Sequence, residues 1–417
     1  THGDMRTTNT VQIRLLLAGA STAAAQQTPP PQPAVPDTAA AADSAAAAAM
    51  LAGQPASTAP SEAAAQSGGG PTNPRLMPDI SVVGDLVGDL SPKGSTQADG
   101  TRFGVREVEL AVQAAVDPYF RGDVFLGFSD AEGVGIEQAY LTTTSLPYGL
   151  EARVGRYLMP FGKQNLTHRH DLHTTEYPWV IQRFLGDEGL KGTGLWVSKV
   201  LAPFGFYQEI QVTAVDRLGE RPEGLVAAEP ANKRLSGLGY SARLRNYFDV
   251  SQASNFEISA SVLTGRVERV ANLDPLSGLN AVDARTTTLG ADVTYRWRPL
   301  QQGLYRSLIL QGEFMRQMNQ DVADLAHGAR DYDGAYLFGR YQVAARTFVG
   351  ARYDWLQDPL NDGRTLNAGS GYLEFYPSEF SKLSAALERY SPSGLDGVNR
   401  LLLQATFAIG PHKPHPF

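Results

Sequence analysis

The sequence predicts an all-β fold, a transmembrane antiparallel β-barrel of about 16 strands that follows a disordered Ala/Pro-rich segment. Three observations predict it. From Pro78 onwards, apolar and polar side chains alternate in segments of about ten residues, which is the pattern of barrel strands. The polar positions often hold full charges of both signs, and aromatic residues gather at the ends of the apolar positions.

Composition excludes several other classes of protein. Of the 417 residues, 42% are hydrophobic, the mean hydropathy is -0.23, and no apolar run approaches the ~18 residues of a membrane helix. The net charge of -7 gives no basic surface for nucleic acid. Because cysteine is absent, disulfides, thiol catalysis and cysteine-ligated metals are excluded, and the absence fits an exported bacterial protein.

The first part of the chain has the features of an export signal and a linker. Residues 1–25 contain Arg6 and Arg14, then the apolar stretch LLLAGASTAAA and a small-residue cleavage region, which together indicate a signal peptide. The four residues before Met5 have no explanation in this scheme. Residues 26–78 are almost entirely Ala, Pro, Ser, Gln and Gly, a composition that predicts a disordered linker. Residues 79–417 are then the barrel.

Two strands show the alternation most clearly. In TTTLGADVTYRWRP, the apolar positions oppose the polar ones: Leu289, Ala291, Val293, Tyr295 and Trp297 against Asp292, Thr294, Arg296 and Arg298. In NRLLLQATFAI the same pattern predicts a closing strand that pairs with the first one: Leu401, Leu403, Ala405, Phe407 and Ile409 outward, and Arg400, Gln404 and Thr406 inward. The alternation fails at Arg156, so either Arg156 lies at the membrane interface or Gly155 marks a β-bulge.

A soluble β-sandwich would also alternate, so periodicity alone leaves both folds open. The charged polar positions suit a wet lumen, and the aromatic pairs Tyr295/Trp297 and Tyr353/Trp355 suit the membrane interface. We therefore favour the membrane barrel.

Charged residues on the polar positions are the candidates for lining the lumen. They are Arg121, Asp123, Arg153, Glu209, Arg243, Arg245, Asp292, Arg296, Arg298, Arg340, Arg352, Asp354 and Arg400. Both signs occur, which predicts transverse fields and a water-filled interior rather than the single-sign field of a strongly selective pore. The alternative for each residue is that it pairs with an opposite charge and only stiffens the wall.

The stretch VGIEQAYLTTTSLPYGLEARVGRYLMPFGKQN resembles the phosphate-selective porin O and P family of Gram-negative outer membranes. An acidic-then-aromatic strand, an LPYG turn and a GR(F/Y)xxPFG segment carry the resemblance: Glu137, Ala139, Tyr140, Gly155, Arg156, Tyr157, Pro160, Phe161 and Gly162. It spans about Phe120 to Asn165 and is only architectural elsewhere. The resemblance implies a 16-stranded barrel in a lipid bilayer with lipopolysaccharide, often a homotrimer, that passes small anions or other small solutes. The family's arginine ladders and lysine clusters have no residue-by-residue match here, so phosphate selectivity is not carried over.

Five of the seven histidines form two groups. LTHRHDLHTTEYP holds His168, His170 and His173 beside Asp171 and Glu176, and the tail holds His412 and His415. Imidazole with carboxylate is a ligand set for zinc, copper or nickel, so both groups are candidate divalent-metal ligands. The alternative is a polar loop in which the histidines only make hydrogen bonds. The segment between Gly162 and Gly189 is also a candidate constriction loop folded into the pore.

These features predict an outer-membrane porin that lets small hydrophilic solutes or ions diffuse passively and uses no cofactor. A metal-related outer-membrane channel or receptor, with the histidines binding a divalent cation such as zinc, is the alternative. No G-x-S-x-G or H-E-x-x-H motif is present and no nucleophile is paired with a histidine, so we do not expect an enzyme.

Overall fold

The barrel closes on itself through sixteen antiparallel strands. The computed structural model describes residues 77–97, 100–129, 133–218, 235–271, 280–319, 331–359 and 363–411. Each strand pairs with its neighbours in sequence, and the last pairs with the first. The strands are β1 (Asp79–Asp89), β2 (Phe103–Ala115), β3 (Phe120–Ser129), β4 (Gly133–Thr143), β5 (Leu150–Leu158), β6 (Lys191–Leu201), β7 (Tyr207–Val215), β8 (Gly239–Ser251), β9 (Ser254–Ala271), β10 (Asn280–Trp297), β11 (Leu308–Asn319), β12 (Asp331–Ala344), β13 (Thr347–Asp358), β14 (Arg364–Ser378), β15 (Ser381–Pro392) and β16 (Val398–Ile409). The predicted fold class and strand number are confirmed.

Helical structure is minor in the described residues. One α-helix, α1 (Trp179–Phe184), lies between β5 and β6. Short 3₁₀ turns occupy Pro147–Gly149, Gln164–Leu166, Arg169–Asp171 and Leu235–Gly237. None of the helices in these ranges is long and apolar enough to cross a membrane.

The two faces of the strands differ as the alternation predicts. Outward positions expose large apolar side chains, for example Leu289, Leu337, Leu387 and Leu403, whereas the alternate positions are polar and buried. On β10, Asp292 and Thr294 are buried, whereas Leu289 and Val293 are exposed. An apolar belt outside and charges inside is the inverse of a soluble protein and suits a barrel in lipid.

The two ends of the barrel have different connections. At one end several turns are two residues long, such as 252–253, 345–346 and 379–380. The other end has longer connections, which include 90–102, 159–190 and 216–238. Outer-membrane barrels carry short turns on the periplasmic side and long loops on the outside, so 159–190 enters from the external end.

The last strand, β16, closes the barrel by pairing with β1, as predicted. Val82 lies opposite Ile409, and Gly84 lies opposite Phe407. The Phe407 ring covers Gly84, where a Cβ would overlap it. On the inner side, Gln404 Nε2 donates to Asp85 Oδ1 at 2.9 Å, so both faces of this seam are bonded.

Gly155 lies in β5 where the alternation fails, but its ladders with β4 and β6 continue without a register shift, so the expected bulge is wrong. Its φ of +137° lies in a region that favours glycine, and it pairs with Tyr140 of β4 and Gly194 of β6. A Cβ at this position would overlap the carbonyl oxygen of Ala139. Arg156 lies two residues from the end of β5, and its Nε donates to the carbonyl oxygen of Ile136 at 2.9 Å.

Several predictions concern parts of the chain outside the described residues. These are the signal peptide, nearly all of the linker, and the tail with His412, His415 and Phe417. They stay predictions.

Replacing Gly155 with alanine tests whether the backbone at this position requires glycine. Strain at a disfavoured φ costs on the order of 1–3 kcal/mol, and overlap with the Ala139 carbonyl adds to it. We expect Gly155→Ala to unfold at a lower temperature, measured by heat-modifiable migration on a gel. Gly371→Ala is the matched control, since nothing lies within 4 Å of its added Cβ. Equal transition temperatures for the two variants would contradict that requirement.

Candidate functional site

Residues 159–190, here called the inserted segment, run through the interior of the barrel between β5 and β6. Its contacts reach strands around most of the circumference, so it crosses the lumen rather than lining one wall. Gly162 N donates to Ser261 Oγ of β9 at 3.1 Å, and Gln164 N donates to Glu313 Oε1 of β11 at 2.6 Å. Trp179 N donates to Asp354 Oδ1 of β13 at 2.9 Å, and Arg106 Nη1 of β2 donates to Thr175 O at 2.9 Å. The predicted constriction loop does fold into the barrel.

Apolar side chains give the inserted segment its own docking surface. Phe161, Leu172, Val180 and Ile181 are buried, and they belong to one cluster with inward-facing residues of β11 to β14 such as Met315. The glycine of the PFG turn, Gly162, has a φ of +61°. Burial of these side chains supplies the non-directional part of the attachment.

Glu176 is held by arginines from three elements. Arg106 of β2 donates to its Oε1 at 3.1 Å, Arg169 of the inserted segment donates to Oε2 at 2.7 Å, and Arg400 of β16 lies 3.8 Å from Oε1. Burial alone would raise the pKa of the Glu176 carboxyl, but Arg169, Arg106 and Arg400 lower it to about 2. The carboxylate therefore stays charged at neutral pH and ties the segment to the wall.

A second link joins the inserted segment to β13. Asp354 accepts from Trp179 N, and Arg352 Nη1 donates to the Glu176 carbonyl oxygen at 2.8 Å. Arg352 Nε also donates to Asp354 at 2.7 Å. These two residues of β13 therefore bond to each other and to Trp179 and Glu176 of the inserted segment. Both wall side chains are nearly fully buried.

The side chain of Lys382 on β15 binds the backbone of the inserted segment. Its ammonium donates to the carbonyl oxygens of His170 and Leu172 at 2.7 and 2.9 Å. The side chain is 2% exposed, so these two carbonyls replace water around a buried charge.

Four cations surround Glu257 on the opposite side of the lumen. Lys163 of the inserted segment lies 3.0 Å from the carboxylate, Arg245 lies 2.9 Å away, and Arg243 and Arg296 each lie 3.6 Å away. Burial lowers the pKa of Lys163 to about 7, against the opposing effect of Glu257 and with the help of the three arginines. The Lys163 amine is therefore only partly charged at neutral pH, and Arg243 and Arg245 also lie 3.5 and 3.6 Å from Asp292 and Glu209, so the cluster holds charges of both signs.

The structure places the predicted lumen residues on the inner face or at its edge. Buried among them are Asp123, Glu209, Arg243, Arg245, Asp292, Arg340, Arg352, Asp354 and Arg400. Arg121, Arg153 and Arg296 are partly exposed, and Arg298 follows β10 and donates from Nε to Gly303 O at 2.8 Å. Many of these charges are paired across strands, as in Arg340 with Glu374 at 2.7 Å. The sequence left open whether these residues pair with opposite charges, and many of them do.

The histidines of the inserted segment do not act as one group. His168 Nδ1 lies 2.8 Å from Glu109 Oε2 of β2, and the His168 and His170 rings are 5.4 Å apart. His173 lies apart, stacked on Phe338 with centroids 6.3 Å apart. Burial and the nearby Arg340 lower the pKa of His173 to about 3, so its ring is neutral. The predicted triple of His168, His170 and His173 is therefore not brought together, and Glu109 takes the place of His173.

Arg106 was missed as an inward residue because of one irregularity in β2. The register between β1 and β2 shifts between Asp85 and Leu86, so Arg106 has no partner in the ladder. As a result Arg106 and its neighbour Glu107 both reach the interior, where strict alternation allows only one of them. In the sequence, the only sign of this bulge is that two charged residues, Arg106 and Glu107, follow each other in a strand that otherwise alternates.

Comparison with known proteins shows the fold. No family model matches the chain. An uncharacterized protein of Aquifex aeolicus (strain VF5) is 28% identical over an alignment of 342 residues, and the match covers 76% of this chain and 70% of that protein.

Several solved structures are similar over 80% of this chain. The loop L8 deletion mutant of OmpT, an outer membrane protein of Vibrio cholerae, has a TM-score of 0.52 at 12% identity and is 99% covered. OprB of Pseudomonas putida has a TM-score of 0.52 at 12% identity and is 94% covered. The outer membrane channel DcaP of Acinetobacter baumannii has a TM-score of 0.50 at 13% identity and is 98% covered. This protein is therefore a sixteen-stranded β-barrel whose fold is similar to that of these proteins.

Proposed function

We propose that this protein is a passive, non-catalytic pore for small hydrophilic solutes or ions, narrowed by the inserted segment. The observation that carries the proposal is the polar interior crossed by a segment that is bonded to β2, β9, β11, β13 and β15. A barrel built only as a membrane anchor needs no such attachment. A constriction does, because its position sets the size of solute that passes.

The arrangement of charges supports weak selectivity. The arginines around Glu257 also pair with Asp292 and Glu209, and Lys191 pairs with both Glu137 and Glu188 on the other side of the lumen. A lumen in which both signs are paired locally gives no single-sign field, so it should not exclude ions of either sign. The anion preference and the homotrimer that the family resemblance implies are expectations beyond this proposal.

Planar-bilayer recording of the purified full chain tests the function. We expect stable single-channel steps, and permeabilities of potassium and chloride of the same order, because the lumen carries both signs. Bi-ionic reversal potentials give the ratio. A barrel that inserts, shown by heat-modifiable migration, and passes no current would overturn the proposal.

Loosening the inserted segment should change the current. Lys382→Met removes the two hydrogen bonds to His170 and Leu172, and hydrogen bonds from a charged group contribute about 1.5–3 kcal/mol each. We expect larger and noisier single-channel currents. Lys199→Met on β6 is the matched control, since Lys199 pairs through its backbone with Leu150 and Ile210. Indistinguishable currents from the two variants would show that the segment does not set the conductance.

A further inference from the structure

Glu109, His168 and His170 place three metal-ligating atoms in one small volume. One ligand atom from each lies within 4.8 Å of the other two. Zinc with nitrogen and oxygen ligands at about 2.0–2.2 Å needs its ligand atoms roughly 3.3–3.6 Å apart. Glu109 Oε2 and His168 Nδ1 are 2.8 Å apart, so a small rotation of the side chains brings all three to that spacing.

Polar side chains lie beside both histidines. The second ring nitrogen of His168 lies 2.6 Å from the amide donor Gln138 Nε2, and His170 Nε2 lies 3.7 Å from Asp171 Oδ1. Glu109 and His170 are each 2% exposed, which gives the ligands a low-dielectric surrounding.

The surroundings favour a divalent cation and give it access. His168 also borders a cleft whose lining includes Glu107, Glu137 and Glu188, together with the cations Arg169 and Lys191. The side chain of His168 is 20% exposed, so solvent reaches the cluster. Three protein ligands leave one coordination position for water, as in open zinc sites.

We propose that Glu109, His168 and His170 bind a divalent transition-metal cation of the zinc class. Glu109 belongs to the wall strand β2, and both histidines belong to the inserted segment. A bound cation therefore links the segment to the wall and stiffens the constriction. The binding step is independent of the proposed function, and only its effect on current depends on it.

Zinc titration of the detergent-solubilised full chain, followed by calorimetry, tests the site. We expect one zinc per chain, and at least a tenfold loss of affinity in Glu109→Gln and in His170→Gln. His173→Gln is the matched control, because it makes the same change on the same segment outside the cluster. His412→Ala/His415→Ala removes the histidines of the tail, and both controls should keep the wild-type affinity.

Two results would overturn the metal site. One is equal zinc affinity in all variants, and the other is binding that is lost only with the tail histidines. Heat-modifiable migration verifies that each variant is folded. Zinc that binds at the site but leaves the single-channel current unchanged would support the metal site and count against the constriction.

Discussion

The structure depends on the pairing of charges inside the barrel. A charge removed from water is costly unless it is paired and hydrogen-bonded, and breaking a buried pair costs about 3–5 kcal/mol. In this protein the pairs are shared between wall and inserted segment: Arg352 and Asp354 bond to Glu176 and Trp179, and Arg106 bonds to both Asp85 and Glu176. The position of the segment is thus fixed by the same contacts that keep the lumen charges stable.

The apolar cluster inside the lumen complements these directional bonds. Inward positions on β11 to β14 carry Met315, Phe338 and Leu356 where a simple water-filled barrel would carry polar residues. Packing of α1 against this patch places Trp179 beside Asp354. Hydrophobic burial supplies affinity without direction, and the ion pairs supply direction, so the segment has a defined place in the pore.

The barrel was predictable from sequence because alternation is a local property. Leu403 and Phe407 face outward, Gln404 and Thr406 face inward, and the last strand pairs with β1, as its pattern indicates. Contacts between distant residues have no comparable local signal. The bond between Lys382 and the carbonyl oxygen of His170 joins positions 212 residues apart, and no local pattern in either element points to the other.

The candidate metal site was likewise predictable only in its local part. Spacing drew attention to His168 and His170, but the choice of their third partner depends on which strand faces the segment. That partner is Glu109, while His173 packs on Phe338 instead. The bulge that turns both Arg106 and Glu107 inward was also beyond a pattern of strict alternation.

The most direct measurement places a single reactive thiol on the inserted segment. The chain has no cysteine, and the Asp171 side chain is 40% exposed, so Asp171→Cys offers one defined target for a bulky methanethiosulfonate reagent. Leu387→Cys, on the outward face with the residue 64% exposed, is the control. If the segment narrows the pore, modification of Asp171→Cys lowers the single-channel current in discrete steps and modification of Leu387→Cys does not. An unchanged current through fully modified Asp171→Cys, with modification verified by mass, would contradict the account.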